Sequence, residues 1–335
     1  MNPAAPPRAV NTYLKKGCPM SFLQAVLEGI LQGATEFLPV SSSGHLSLSQ
    51  HFLGMQPGGG ENALYFDVML HLGTLAAVLA VYYRLVGRLI REAVFVVRDL
   101  CTGRFCWKGV NPCRRLLFML ILGMVPLFLL FLPVPGTGMA LKDFASRWAG
   151  DSDIVVEGSS LIATGMLLAL GIRATRRTEK RGVRPGGRPN PGKKEYTAGD
   201  ALTVGLFQCA AAVFPGLSRS GSTLSAGLMR GISRRAALDY SFVVGIPPIV
   251  AAAVMEAGEV QVRPAGPDLA AMLAGMAAAA VVGFLAIRLV RRLCAASHLG
   301  VFVVYTLILG SVVLVLGILE HHTGVNAVTG ARLNF

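Results

Sequence analysis

A chain of 335 residues that is 53% hydrophobic and only 15% charged, with mean hydropathy +0.58, has too little polar surface for a soluble domain and reads as a polytopic helical membrane protein. Its formal net charge of +13 would point to nucleic acid in a soluble protein, but the basic residues fall in segments between apolar runs. That is the pattern of positive-inside topology, so the expected partner is the lipid bilayer and not nucleic acid. Six cysteines, Cys18, Cys101, Cys106, Cys113, Cys209 and Cys294, show no metal-ligand spacing and are expected as free thiols.

Residues 1–20 are Pro-rich and polar and read as a disordered extension; Lys15 and Lys16 precede an apolar run, but no small-residue cleavage site follows. Residues 21–37 form an apolar helix too short and too polar to span comfortably, with Glu28, Gln32 and Glu36 at i, i+4 and i+8 on one face. Pro39 breaks it, Ser41, Ser42 and Ser43 follow, and His45 opens a second short helix. Helix, break and half-helix over 21–54 predict a re-entrant hairpin, tolerated only where its open backbone is buried in protein or lines a wet cavity.

Residues 63–83 are the first full span. From Arg84 to Arg115 eight basic residues face two acids on an amphipathic pattern, which predicts an interfacial cytoplasmic helix. Spans at 115–132 and 153–172 flank a loop with Lys142, Asp143, Arg147, Asp151 and Asp153, expected outside. Residues 173–198 carry nine basic residues with Gly and Pro, a flexible cytoplasmic linker. A second hairpin over 199–230 precedes spans at 236–256, 268–290 and 299–319, and 321–335 is a C-terminal tail.

The two hairpins match. Setting Gly29 on Gly205 also brings Gln32 onto Gln208, Ala34 onto Ala210, Pro39 onto Pro215 and Ser42 onto Ser218 without a gap; Asp67 and Gly73 roughly match Asp239 and Gly245. Charge bias has repeat one (21–172) entering its hairpin from outside and repeat two (199–320) from inside. The expected fold is therefore all-α, an inverted-topology repeat of about six full transmembrane helices plus two re-entrant helical hairpins.

The second hairpin carries FPGLSRSGST over Phe214–Thr223. A guanidinium at membrane depth is costly and normally faces a polar cavity or a partner. Pro215 and Gly216 end one helix, Ser218, Ser220 and Ser222 can cap the next, and its N-terminal amides would converge with Arg219 on an anion, most naturally phosphate. If the hairpins meet, Gln32, Glu36, Ser41, Ser42, Ser43 and His45 join Ser218, Arg219, Ser220 and Thr223. These are the parts of phosphoryl transfer. Arg219 would clamp phosphate oxygens, and Glu36 with Gln32 could bind a hard divalent ion through oxygen. His45 could be base, acid or nucleophile, and Ser42 could be the nucleophile. Serines near a helix start are as readily caps, and His71 and Asp67 in the first full span could line the cavity but are expected mainly to make helix-to-helix hydrogen bonds.

QGATEFLPVSSSGH resembles the (E/Q)xxxE motif with its downstream serines and histidine in the undecaprenyl-diphosphate phosphatase family of the bacitracin-resistance type, and PGLSRSGST resembles that family's PGxSRSxxT motif. The resemblance implies an inner-membrane phosphatase that converts undecaprenyl diphosphate to undecaprenyl phosphate and phosphate, recycling the lipid carrier of cell-wall synthesis, with Mg²⁺ or Ca²⁺. By position it implies metal-associated Gln32 and Glu36, catalytic candidates Glu36, Ser42, His45 and Arg219, and substrate-binding Ser41, Ser43, Ser218, Ser220 and Thr223. The first motif position is Gln and not Glu, and Glu28 lies outside the motif. The cavity is expected to open to the periplasm, and a homodimer is a candidate assembly. The competing class is a transporter or lipid flippase, since broken helices in inverted repeats suit alternating access; such a carrier needs binding groups but no nucleophile and base.

Overall fold

The computed structural model describes residues 21–53, 61–104, 106, 110–134, 139–141, 154–181, 190–259 and 267–330. The N-terminal extension, Cys18, the loop with Lys142 to Asp153 and the end of the tail lie outside them. Among the described residues there is no strand beyond two isolated bridges, and six helical segments are long and apolar enough to cross a membrane. The protein is an all-α, multi-pass membrane protein.

The first hairpin is α1 (Phe22–Phe37) and α2 (Ser42–Leu53), followed by α3 (Glu61–Cys101), α4 (Pro112–Met124) and α5 (Val155–Arg181). The second is α6 (Ala198–Val213) and α7 (Arg219–Met229), followed by α8 (Arg234–Val244), α9 (Ile246–Glu259), α10 (Pro267–Ala295) and α11 (Gly300–Thr323). Contacts are exchanged between the halves: α1 lies along α10, α6 lies along α4 and its continuation, and α5 pairs with α11. Each hairpin thus leans on the second span of the other repeat.

Local chemistry explains the boundaries. Asn111 caps α4 by accepting from the Arg114 amide, Pro112 occupies its first turn, and Pro126 converts the next stretch, Val125–Phe131, to a 3-10 helix. Thr197 and Asp200 form a reciprocal capping box at α6. The span at 63–83 and the amphipathic segment after it are one helix, α3, with a single non-helical residue at Tyr82, because no Pro or Gly near Tyr82 stops it. Beyond that kink Ile90, Val94, Val97 and Leu100 are each at least 60% exposed, as an interfacial face requires. The basic linker is shorter than the composition suggests: α5 runs on to Arg181, and the chain is pinned again from 190, where Lys193 pairs with buried Asp200 at 2.9 Å and Tyr196 stacks on Tyr240 at 3.9 Å.

The aligned glycines Gly29 and Gly205 have equivalent jobs. A Cβ on Gly29 would meet the backbone carbonyl of Gly275 in α10, and one on Gly205 would meet that of Gly123 in α4. Helix backbones approach that closely only over small residues. Gly29→Ala is expected to cost about 1–3 kcal/mol of stability through overpacking, read as a lower thermal midpoint in detergent. Gly87→Ala, where a Cβ would meet nothing within 4 Å, is expected to be neutral or slightly stabilising.

Candidate active site

The two hairpin turns face each other across a cavity of about 230 Å³. Both downstream helices begin alike. Ser41 Oγ accepts from the Gly44 amide at 3.1 Å, and Ser218 Oγ accepts from the Gly221 amide at 3.0 Å. Ser41 and Ser43 hydroxyls stand 3.4 Å apart, and those of Ser218 and Ser220 3.3 Å. The gap-free alignment therefore needs correcting at the turn: the equivalent motifs are Ser41-Ser-Ser-Gly44 and Ser218-Arg-Ser-Gly221, so Ser218 matches Ser41 and Arg219 matches Ser42. The second turn holds one residue more. The two turns also differ in conformation: Gly216 adopts φ +77°, which glycine accepts freely, whereas in the first turn Ser41 itself sits at φ +75°.

In α2 the Gly44 and His45 amides are taken by Ser41, and in α7 the Gly221 and Ser222 amides are taken by Ser218. The leading amides, Ser42 and Ser43 in one helix and Arg219 and Ser220 in the other, remain as donors at two positive helix ends. Ser42, Ser43, Arg219 and Ser220 all line the cavity. Two converging helix N-termini with a guanidinium make an anion site.

Glu36 is the hub. Its Oε1 accepts from the Arg219 guanidinium, and its Oε2 accepts from Ser42 Oγ at 2.8 Å and from Gln32 Nε2 at 3.0 Å. The carboxylate side chain is 5% exposed and that of Arg219 24%, so the pair joins the repeats where α1 ends and α7 begins. Arg219 also lies flat against Gly245 at the end of α8, where a Cβ would collide with its Nη1. Ser220 Oγ donates to the Leu38 carbonyl at 3.1 Å, closing one turn on the other.

Of the residues expected from the sequence, Glu36, Ser41, Ser42, Ser43, Ser218, Arg219 and Ser220 line the cavity; Gln32, His45 and Thr223 do not. Gln32 is fully buried behind Glu36. Thr223 bonds the Arg219 carbonyl and the Ser241 hydroxyl at 2.8 and 2.6 Å, fastening α7 to α8. His45 is buried with both nitrogens engaged: Nδ1 donates to the Ser41 carbonyl at 2.6 Å, so Nε2 accepts from Tyr305 OH at 2.7 Å. The imidazole that does line the cavity is His71 of α3. Its Nδ1 donates to the Asp67 carbonyl one turn back at 2.8 Å, leaving Nε2 as the nitrogen available to the cavity. The hydrogen bond expected to cross between helices stays within α3. A polar residue inside the first full span, four residues after Asp67, was the sequence signal for His71. Gly245, which seats Arg219, was legible only as a repeat match to Gly73.

A family model described as bacitracin resistance protein BacA matches residues 25–312. The chain belongs to this family. The match begins inside α1 and ends inside α11, so it takes in both hairpin turns and every helix between them. Similar proteins include the undecaprenyl-diphosphatase of Rubrobacter xylanophilus, 38% identical over 296 residues that cover 88% of this chain and 97% of that one. That of Desulfosudis oleivorans is 37% identical over 305 residues, covering 89% and 99%, and that of Alkaliphilus metalliredigens is 34% identical over 304 residues, covering 90% and 100%.

Proposed function

We propose that this membrane protein is an undecaprenyl-diphosphate phosphatase, releasing inorganic phosphate and leaving undecaprenyl phosphate. The single observation that carries the reading is the Arg219–Glu36–Ser42 constellation at two converging helix N-termini. The geometry supplies a chargeable anion clamp and a hydroxyl held by a carboxylate, whereas a carrier needs only the clamp. Family membership and relatives named undecaprenyl-diphosphatase support the same substrate.

In this reading Arg219 and the amides of Ser42, Ser43, Arg219 and Ser220 bind the diphosphate oxygens and stabilise charge as it develops on phosphorus. Ser42 Oγ attacks the terminal phosphorus and passes its proton to Glu36 Oε2. The bond to the bridging oxygen breaks, undecaprenyl phosphate leaves, and water then hydrolyses the phosphoserine. His45 holds the α2 turn through Ser41 and Tyr305 and is a positioning residue. His71 contributes an imidazole to the wall.

The divalent cation fits as a guest shared with substrate. Among the described residues no three His, Cys, Asp or Glu side chains converge on a metal site. Yet Gln32 Oε1 is buried without a hydrogen-bond partner beside Glu36, and Glu28 brings two more unpartnered buried oxygens one turn further along α1. Mg²⁺ is commonly held by one or two protein oxygens together with substrate phosphates. Gln32 and Glu36 would hold the ion, which would neutralise the diphosphate. Phosphate release from a long-chain prenyl diphosphate by the purified protein is the direct test. Expected is Mg²⁺- or Ca²⁺-dependent release that EDTA abolishes and added metal restores. Full activity in EDTA would remove the metal from this reading, and binding of the lipid without any release would favour the carrier. An inner-membrane protein whose cavity faces the periplasm is the reading that the charge bias supports, since it brings the first hairpin in from outside.

A further inference from the structure

The polar half of the cavity accounts for a diphosphate, but five lining residues carry no hydrogen-bonding side chain: Ala211, Leu217, Pro248, Ile249 and Ala252. They come from two places only, the end of α6 with the turn before α7, and the first turns of α9. All the polar lining lies on other elements or at the start of α7. The cavity is therefore split, with an ionic wall built by α1, α2, α3 and α7 and an apolar wall built by the α6–α7 turn and α9.

That apolar wall does not end inside the bundle. Ala252 is itself exposed, and beside the wall Phe214 is 45% exposed and Val250 41%. In a membrane these are lipid-facing surfaces. A cavity of about 230 Å³ has room for a headgroup and not for a polyprenyl chain, so the chain must leave it. Leaving on the polar side would place hydrocarbon against Glu36, Ser41–Ser43 and Arg219. Leaving between the α6–α7 turn and α9 keeps every isoprene unit in contact with apolar side chains and then with lipid tails. The residues flanking that slot inside, Ala211 and Ala252, are both small.

Resting on the reading of the cavity as a diphosphate site, we propose that the slot between the α6–α7 turn and α9 binds the first isoprene units of the substrate and is where its prenyl chain passes sideways into the bilayer. Ala252 and Ala211 set the width of this slot. It determines which lipids are accepted, by demanding a chain slim enough to pass between Ala211 and Ala252 next to the diphosphate, and it fixes the orientation of the terminal phosphorus towards Ser42.

The test uses the full-length protein in lipid nanodiscs with a prenyl diphosphate carrying a diazirine in its first isoprene unit, photolysed in EDTA and mapped by mass spectrometry. Labels are expected within 211–217 and 248–252; labels concentrated on α2 and α11, near Tyr305, would overturn the proposal. In parallel, Ala252→Phe is expected to raise KM for the long-chain substrate by about tenfold or more, the scale at which a filled slot discriminates. Val254→Phe, a lipid-facing change outside the slot at a residue 68% exposed, should behave as wild type. Unchanged KM in a folded Ala252→Phe protein, with wild-type phosphate release intact, refutes the slot alone. Absence of phosphate release from the wild-type protein under every metal condition refutes the phosphatase reading and the slot with it.

Discussion

Arg219→Ala is expected to abolish measurable phosphate release, with a fall in kcat/KM of at least about 10²–10³-fold, the scale of losing one preorganised charge donor at a reacting oxyanion. The substitution also leaves the Glu36 carboxylate, whose side chain is 5% exposed, without its guanidinium. Breaking a buried pair by removing one partner costs about 3–5 kcal/mol, so the thermal midpoint should fall as well. These two losses separate in a double-mutant cycle. Arg219→Ala with Glu36→Gln should regain much of the stability, because no buried charge is stranded, and none of the activity. Arg219→Lys should stay folded but remain impaired, since an ammonium cannot replace a planar fork that meets Glu36 on one side and phosphate on the other. Retention of most activity by Arg219→Ala would contradict the assignment of the cavity.

The second large effect is expected at a residue with no side chain. Gly245 ends α8 with φ −78° and ψ −17°, a conformation open to any residue, so alanine should leave the backbone unstrained. Its Cβ would occupy the space of the Arg219 guanidinium. The arginine must then retract from its seat, and a displacement of about 1 Å at a reacting centre can cost 10²-fold in rate. Gly245→Ala is therefore expected to cut kcat strongly with a thermal midpoint near that of wild type. Gly29→Ala should do the reverse, lowering stability through the α1–α10 contact while the hairpin turns keep their chemistry. Measuring kcat and thermal midpoint for both variants decides whether Gly245 serves the arginine or the fold.

Much of the architecture was legible because membrane folding writes it into composition. Apolar runs of span length, basic clusters at one end and a Pro break followed by serines are local features, and each has one physical solution in a bilayer. The duplication was legible from five identities because both turns need the same cap chemistry. The alignment failed by one residue at the turn, where the first hairpin closes through Ser41 and the second through Gly216; turn length is set by how each turn packs and not by the identities around it.

The candidate site was legible in part. Glu36, Ser42 and Arg219 stood out because a carboxylate, a serine run and a guanidinium at membrane depth each demand a partner, and the structure shows the partners to be one another. His45 and His71 could not be told apart in the sequence, since either imidazole suits the chemistry. Only the assembled helices show His45 held between the Ser41 carbonyl and Tyr305 OH, two partners 260 residues apart in one case, and His71 on the cavity wall.

By itself the sequence determined that the chain crosses a membrane as helices, that it is doubled, and that an arginine sits at a broken helix. These follow from the solvent, through hydropathy, charge and the backbone's need for hydrogen bonds. The tertiary structure alone decided which side chains meet: that Glu36 joins Arg219 to Ser42, that Gly245 makes room for the guanidinium, and that Ala211 and Ala252 line the same cavity as these ionic groups. Those contacts depend on distances between helices remote in sequence, and helix separation is set by packing of small residues that no local pattern reports.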